Sequence, residues 1–273
     1  MIQPSTGLAV LRLKELWEYR ELAYFLVWRD IKVRYKQTAI GVAWALIQPL
    51  AMMVVFSLFF GKLAKLPSEG VPYPLFALAG LLPWQIFSRG VSESANSLVA
   101  DQRLITRVYF PRLLVPLATI AGALVDFAIA AVLLIILMAV YGVALSPQII
   151  WLPVFVTLML LTALGIGFWL SALNLEYRDV RYTLPFLTQL WLFLTPVVYP
   201  SAIVPEQWKL VYGLNPMVGV VEGFRWALFA AGRGPSPMLA VSAGIAVMMF
   251  LGGLMFFQSR ERVFADIIGS GGR

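Results

Sequence analysis

Three ionisable side chains stand inside long apolar runs of this 273-residue chain: Arg89, Glu93 and Asp126. Arg89 and Glu93 are four residues apart on one helical face. That spacing predicts an intrahelical ion pair, which lowers the burial cost of each charge. Asp126 lies in the run GALVDFA. An acid within an apolar span marks either a functional site or a buried carboxylate bonded to a neighbouring helix. No second acid or base reads as placed to share a proton relay with it, and Asp126 and Glu93 read as poorly placed to act as a pair. A carrier driven by protons or sodium would show more such groups.

The sequence has no Cys and no His. Zinc sites, haem ligation, cysteine nucleophiles and Ser–His–Asp triads are thereby largely excluded, and no metal site or catalytic residue is assigned. Without Cys the redox compartment is not legible. The only Gly-Lys pair, Gly61-Lys62, fails the Gly-x-x-x-x-Gly-Lys-[Ser/Thr] pattern. The chain therefore has no Walker A loop for ATP. If transport is ATP-driven, ATP and Mg are bound by another polypeptide.

The elements that position these residues follow from composition. The chain is 60% hydrophobic and 13% charged, against about 45–50% and about 25% in soluble domains. An integral membrane protein with one membrane domain over 1–273 is expected. Apolar runs long enough to span lie at about 40–60, 73–99, 113–141, 151–173 and 238–257. Between them, 184–199 ends at Thr195-Pro196 and Tyr199-Pro200, and 217–231 is short and contains Glu222 and Arg225. One further span (184–199) followed by a re-entrant helical hairpin is expected, since irregular backbone at membrane depth is tolerated where protein or a water-filled cavity covers it.

Charge supports that count. Most of the 21 Lys and Arg residues fall in four segments: 1–39, 100–112, 174–183 and 258–273. Lys and Arg gather on the cytoplasmic side, so an even number of spans should separate each pair of segments. Six spans, with both termini cytoplasmic, satisfy this. Lys62, Lys65, Lys209, Arg225 and Arg233 then fall outside. The net charge of +7 reads as juxtamembrane charge facing anionic lipid rather than as a nucleic-acid surface. The first 36 residues mix basic and acidic residues without a clean apolar core, unlike a signal peptide. Within the 1–39 segment, Leu13, Leu16, Trp17, Tyr24, Val27, Trp28 and Ile31 share a helical face. They predict an amphipathic helix lying in the membrane interface; a soluble helix packed on a partner is the alternative. The six-span bundle would occupy 40–257, and a cytoplasmic tail 258–273.

Two stripes mix aromatic rings with a single Gln. Trp44, Gln48, Met52, Val55 and Phe59 run along span 1; Tyr182, Phe186, Gln189 and Phe193 run along span 5. Rings pack on the C–H faces of sugars and amides bond hydroxyls. Ordinary helix packing gives the same periodicity, so the pattern leaves both readings open.

Several stretches, in order along the chain, resemble the membrane subunit of ABC-2 type polysaccharide exporters, the family that exports O-antigen, capsule and teichoic acid chains. They are RDIKVRYKQT (29–38) running into GVAW (41–44) and Gln48-Pro49, then RVYFPR (107–112), NLEYRDVR (174–181), TPVVYP (195–200), and LNPM (214–217) followed by EGFRW (222–226). Together they cover about 16–229. The resemblance implies a homodimer with two copies of a cytoplasmic ABC ATPase, in a bacterial inner (plasma) membrane. It implies a coupling helix at about 101–112, bearing Arg103, Arg107 and Arg112. It implies a pore at the dimer interface lined by Trp44, Gln48, Met52, Phe59, Tyr182, Phe186, Gln189 and Phe193. An outer gate would include Pro200, Asn215, Pro216, Glu222 and Arg225. An undecaprenyl-diphosphate-linked polysaccharide is the implied substrate. Arg34 and Lys36 at the inner mouth would meet its pyrophosphate, or else serve only as topogenic charge. An ABC-2 exporter of a small lipid or drug is a rival with the same fold. A membrane-embedded enzyme acting on lipid-linked sugars is a rival of another class.

Overall fold

The computed structural model describes residues 13–36, 43–177, 179–231, 234, 236–261 and 264. Among the described residues every regular element is helical. Leu13–Glu18 (α1) and Arg20–Lys36 (α2) form one broken rod. Leu16, Leu22, Leu26 and Val27 pack into a cluster with Leu114, Ala118 and Phe257, whereas Trp17, Tyr24, Phe25 and Trp28 stay exposed. The expected single stripe is thus divided. One side of the rod packs on protein, and the other presents rings of the kind that settle at headgroup depth.

Ala43–Phe56 (α3) continues as a π-helix, Ser57–Leu63. A Cβ on Gly61 would stand 2.8 Å from the Tyr73 ring, so the missing side chain lets this wide turn lie against the start of the next helix. That helix, Tyr73–Ala100 (α4), has Pro72 at its N-cap and Pro74 in its first turn, where a missing N–H is harmless. Gln102–Arg107 (α5) follows, then Leu114–Val140 (α6). A 3₁₀ turn, Pro147–Trp151, leads into Leu152–Glu176 (α7). Val180–Leu194 (α8) is followed by an irregular segment with 3₁₀ turns, the short Lys209–Tyr212 (α9), Pro216–Phe229 (α10) and Pro237–Glu261 (α11).

Among the described residues, four segments are long and apolar enough to cross a membrane: Ala43–Leu63, Leu114–Val140, Pro147–Glu176 and Pro237–Glu261. They match the expected first, third, fourth and last runs. α4 is long enough, at about 42 Å, but its second half is polar. It tolerates this because it is the central helix: 18 of its 28 residues are buried, between α3, α6, α7 and α10. Side chains that never meet lipid need not be apolar. α8 differs from its expected range. It begins at Val180 and stops at Leu194, because Pro196 and Pro200 withhold donors and bias the preceding residues away from helix. At about 22 Å it is shorter than the hydrocarbon core of about 30 Å. α7 and α11 cross backbone to backbone: a Cβ on Gly253 would lie 2.1 Å from Gly165 O.

Candidate functional site

The expected Arg89–Glu93 pair does not form. Arg89 Nη1 donates to Asp126 Oδ2 (2.6 Å) and Nη2 to Gln48 Oε1 (3.1 Å). Glu93 is instead paired with Arg34 Nη2, at 2.5 Å. Arg34 Nη1 reaches the same Asp126 oxygen at 2.5 Å, and the Tyr35 hydroxyl donates to Asp126 Oδ1. Burial and the bond to Asp126 push the Tyr35 phenol up to about 12. The reason for the difference is geometric: α2 packs on α6 and brings two further donors to Asp126, which outweigh an intrahelical contact. Asp126 and Glu93 are also not isolated from each other, since Arg34 joins them. Sequence spacing cannot reveal this, because Arg34 and Asp126 are 92 residues apart.

Two hollows flank the cluster. One, of about 500 Å³, opens between α3, α4 and α6 and is lined by Gln48, Met52, Ser88, Arg89, Glu93 and Asp126 among others. The other, of about 630 Å³, lies toward α2 and is lined by Arg29, Arg34, Glu93, Asn96 and Asp101. Arg29 is tied to Asp101 at 2.7 Å and to Asp30 at 2.9 Å. The bond to Asp101 is the larger cause of its raised pKa.

The two aromatic stripes lie uncovered. Trp44, Val55 and Phe59 on α3 and its π extension, and Tyr182, Phe186 and Phe193 on α8, are all exposed, Tyr182 at 77%. Gln189 is exposed, as is Gln48 beside its bond to Arg89. Met52 is half-buried. The first hollow takes in Gln48 and Met52 but none of the four named α8 residues. The chain by itself therefore leaves two apolar faces without cover.

The predicted outer-gate residues do converge. Asn215 caps α10: its Oδ1 accepts from Met217 N (3.1 Å) and from Trp191 Nε1 (3.0 Å). Its Nδ2 donates to Thr195 Oγ1 at 3.0 Å and to Leu194 O at 3.2 Å. Pro216 supplies the first helical position. Glu222 and Arg225 are buried rather than facing the outside. Arg225 donates to Pro196 O (2.6 Å), Val197 O (2.7 Å), Phe76 O (3.3 Å) and Glu222 Oε1 (3.4 Å). A Cβ on Gly80 would stand 2.7 Å from Arg225 Nη2, so Gly80 makes room for the guanidinium. Pro200 is buried beside them. A topogenic reading of Arg225 from the charge map misses this. The signal available was Pro196 and Pro200, whose rings leave nearby carbonyls without helical partners.

On the opposite side, α5 exposes Arg103 and Arg107, with Val108 and Tyr109 exposed beyond them. Arg112 is fixed differently: Nη1 donates to Glu261 O (2.5 Å) and its backbone N–H to Glu261 Oε1 (3.2 Å). It ties the α5–α6 turn to the end of α11. Lys36 is exposed, at the last described residue of α2.

Apolar helices of spanning length, a buried charge cluster and no nucleotide loop define a multi-pass membrane protein that does not itself carry a Walker A site. The chain belongs to the ABC-2 type transporter family, whose model matches residues 21–229. It is 31% identical over 260 residues to the O-antigen export system permease protein RfbA of Myxococcus xanthus, covering 93% of this chain and 98% of that one. It is 25% identical to an RfbA permease of Klebsiella pneumoniae (88% and 92% covered). It is 26% identical to the polysialic acid transport protein KpsM of Escherichia coli (85% and 91% covered).

Proposed function

We propose that this chain is the membrane subunit of an ATP-driven exporter that carries a lipid-linked, O-antigen-like polysaccharide out across a bacterial inner membrane. Two copies of the chain form the pore and two copies of a cytoplasmic ABC ATPase drive it. The observation that carries the reading is the pair of uncovered aromatic-plus-glutamine stripes on α3 and α8. In a second copy's presence these faces close a passage, and rings with scattered amides hold sugars weakly enough to let them slide. A polymer too long to be enclosed at one site needs such a track.

Six spans complete the proposal: α3 with its π extension, α4, α6, α7, α8 and α11, with α9–α10 as a re-entrant hairpin on the outer side. The short α8 supports this, since the buried 195–200 segment and the hairpin supply the rest of the membrane depth. Pro200, Asn215, Pro216, Glu222 and Arg225 then set the outer gate. Arg103 and Arg107 face the ATPase, and Arg34 and Lys36 lie toward the inner mouth. Deleting the gene should leave polysaccharide inside the cell and remove it from the surface, with restoration by the wild-type chain supplied together with its ATPase. Unchanged surface polysaccharide in the deletion strain would refute the assignment.

A further inference from the structure

One end of the bundle has a core of its own. Leu26 of α2, Leu98 of α4, Ile105 of α5, Phe110, Phe168 of α7 and Phe257 of α11 belong to a buried cluster distinct from the larger one. Phe264 joins it. This residue is wholly buried, and its ring stands edge-on to Phe257 at 5.3 Å. Polar ties surround the cluster. Arg112 donates from Nη1 to Glu261 O and from its backbone N–H to Glu261 Oε1. Arg260 Nη1 lies 3.2 Å from Glu176 Oε1 at the end of α7.

α5 depends on this cluster. It is six residues long, and a helix that short does not persist on its own hydrogen bonds. Its order must come from what covers its inner face. Ile105 is buried there and Phe110 is buried just beyond, whereas Arg103, Thr106 and Arg107 are exposed. Both apolar anchors sit in the cluster that Phe264 joins, and Glu261 fixes Arg112 where the chain turns into α6. Glu261 and Phe264 lie beyond residue 229, where the family match ends.

We propose that the C-terminal end of α11 positions α5: Glu261 and Phe264 hold that helix from behind, in the orientation in which it meets the ATPase. Phe264 has no surface left for a partner, so it acts only through α5. A push on α5 is then delivered to α11 and α7 as well as to α4 and α6, its neighbours along the chain. The part that concerns the ATPase rests on the export reading. The positioning of α5 does not, and it is measured on the permease alone.

The test is limited trypsin cleavage of the full-length chain in nanodiscs, followed by titration with the ATPase. Arg103 and Arg107 are themselves trypsin sites, and exposed Lys62 and Lys65 report cleavage far from α5. Glu261→Ala and Phe264→Ala should each speed cleavage after Arg103 and Arg107 about fivefold and leave cleavage after Lys62 and Lys65 unchanged, the mark of local rather than global opening. Both should weaken ATPase binding about tenfold, although no exposed α5 side chain is altered. Glu261→Gln keeps an acceptor for the Arg112 N–H, and Phe264→Leu keeps an apolar filling; both should stay near the unaltered chain. If Phe264→Ala does not fold, Glu261→Ala against Glu261→Gln decides. Unchanged cleavage at α5 in folded alanine variants, or faster cleavage with unchanged ATPase affinity, overturns the inference. An unaltered permease that binds no ATPase would refute the export reading, and the cleavage rates would still decide whether the C-terminal end holds α5.

Discussion

The guanidinium carbon of Arg225 lies 3.5 Å from the centroid of the Phe76 ring, and the Arg225 side chain is wholly buried. One residue of α10 thus locks onto α4 while its N–H groups hold the carbonyls of 196 and 197. Arg225→Met keeps much of the volume but strands those carbonyls and Glu222. Breaking a buried pair this way should cost about 3–5 kcal/mol. Phe76→Leu removes only the ring face, worth about 2 kcal/mol when desolvated. Thermal unfolding of the purified chain in detergent should rank Arg225→Met well below Phe76→Leu; the reverse order would place the anchoring energy elsewhere.

Asp126 is the shared acceptor for two cations and Tyr35. Asp126→Ala should be destabilising by about 3–5 kcal/mol, because two guanidiniums lose their common partner. Adding Arg89→Leu should recover part of the loss, since one uncompensated charge is then gone. A double-mutant cycle on thermal stability reads this coupling directly. Strict additivity would show that the two residues act independently.

Much of this was legible beforehand. Apolar runs located α3, α6, α7 and α11, and even α4, whose polar half the runs tolerated. The stretches around Pro200 and Asn215, to which the resemblance assigns an outer gate, bond to one another and to α10. What escaped was pairing across the fold. Arg89 and Glu93 look like partners along one helix, yet each is claimed by a residue on another element. Arg225 reads as an outer-side charge in a re-entrant helix, yet its side chain is buried. Local spacing reports neighbours on one helix, and these contacts join residues 29 to 149 positions apart. The apolar run to 199 overshoots the end of α8 at Leu194, because the Pro residues act on the turn before them.

Glu69 sits in the loop between the π-helix and α4, at φ 55. Its Oε2 is buried without a hydrogen-bond partner among the described residues. Burial, then the neighbouring Glu222 charge, raises its pKa, while Arg225 opposes the shift. A raised carboxyl pKa favours the folded state at low pH. That advantage is full below the ordinary carboxylate range and disappears as pH rises through the shifted value. Glu69→Gln should therefore raise the melting temperature at pH 7.5 by about 1–2 °C, allowing for solvent screening of a half-exposed group, and leave it unchanged near pH 4. A gain that is equal at both pH values would contradict the assignment to this carboxyl.

Arg103 and Arg107 project from α5 without an intramolecular ion pair among the described residues. If α5 docks on the ATPase, Arg103→Glu with Arg107→Glu should replace attraction by repulsion and cost about 2–5 kcal/mol where the contacts are desolvated. Pull-down of the tagged permease should recover far less ATPase, while membrane insertion is unchanged. Normal recovery with full export would leave these arginines with only a topogenic role.

The proposed pore is tested most directly by placing a photocrosslinking phenylalanine analogue at Phe186 or Phe59, and at Val132 or Ile136 on α6 as controls, all exposed positions. During active export, illumination at Phe186 and Phe59 should attach polysaccharide to the chain, seen as an upward shift that reacts with sugar-specific antibody, and the α6 positions should give none. Adducts of equal strength at the α6 positions, or none at Phe186 and Phe59 while export proceeds, would contradict passage of the polymer along these two stripes.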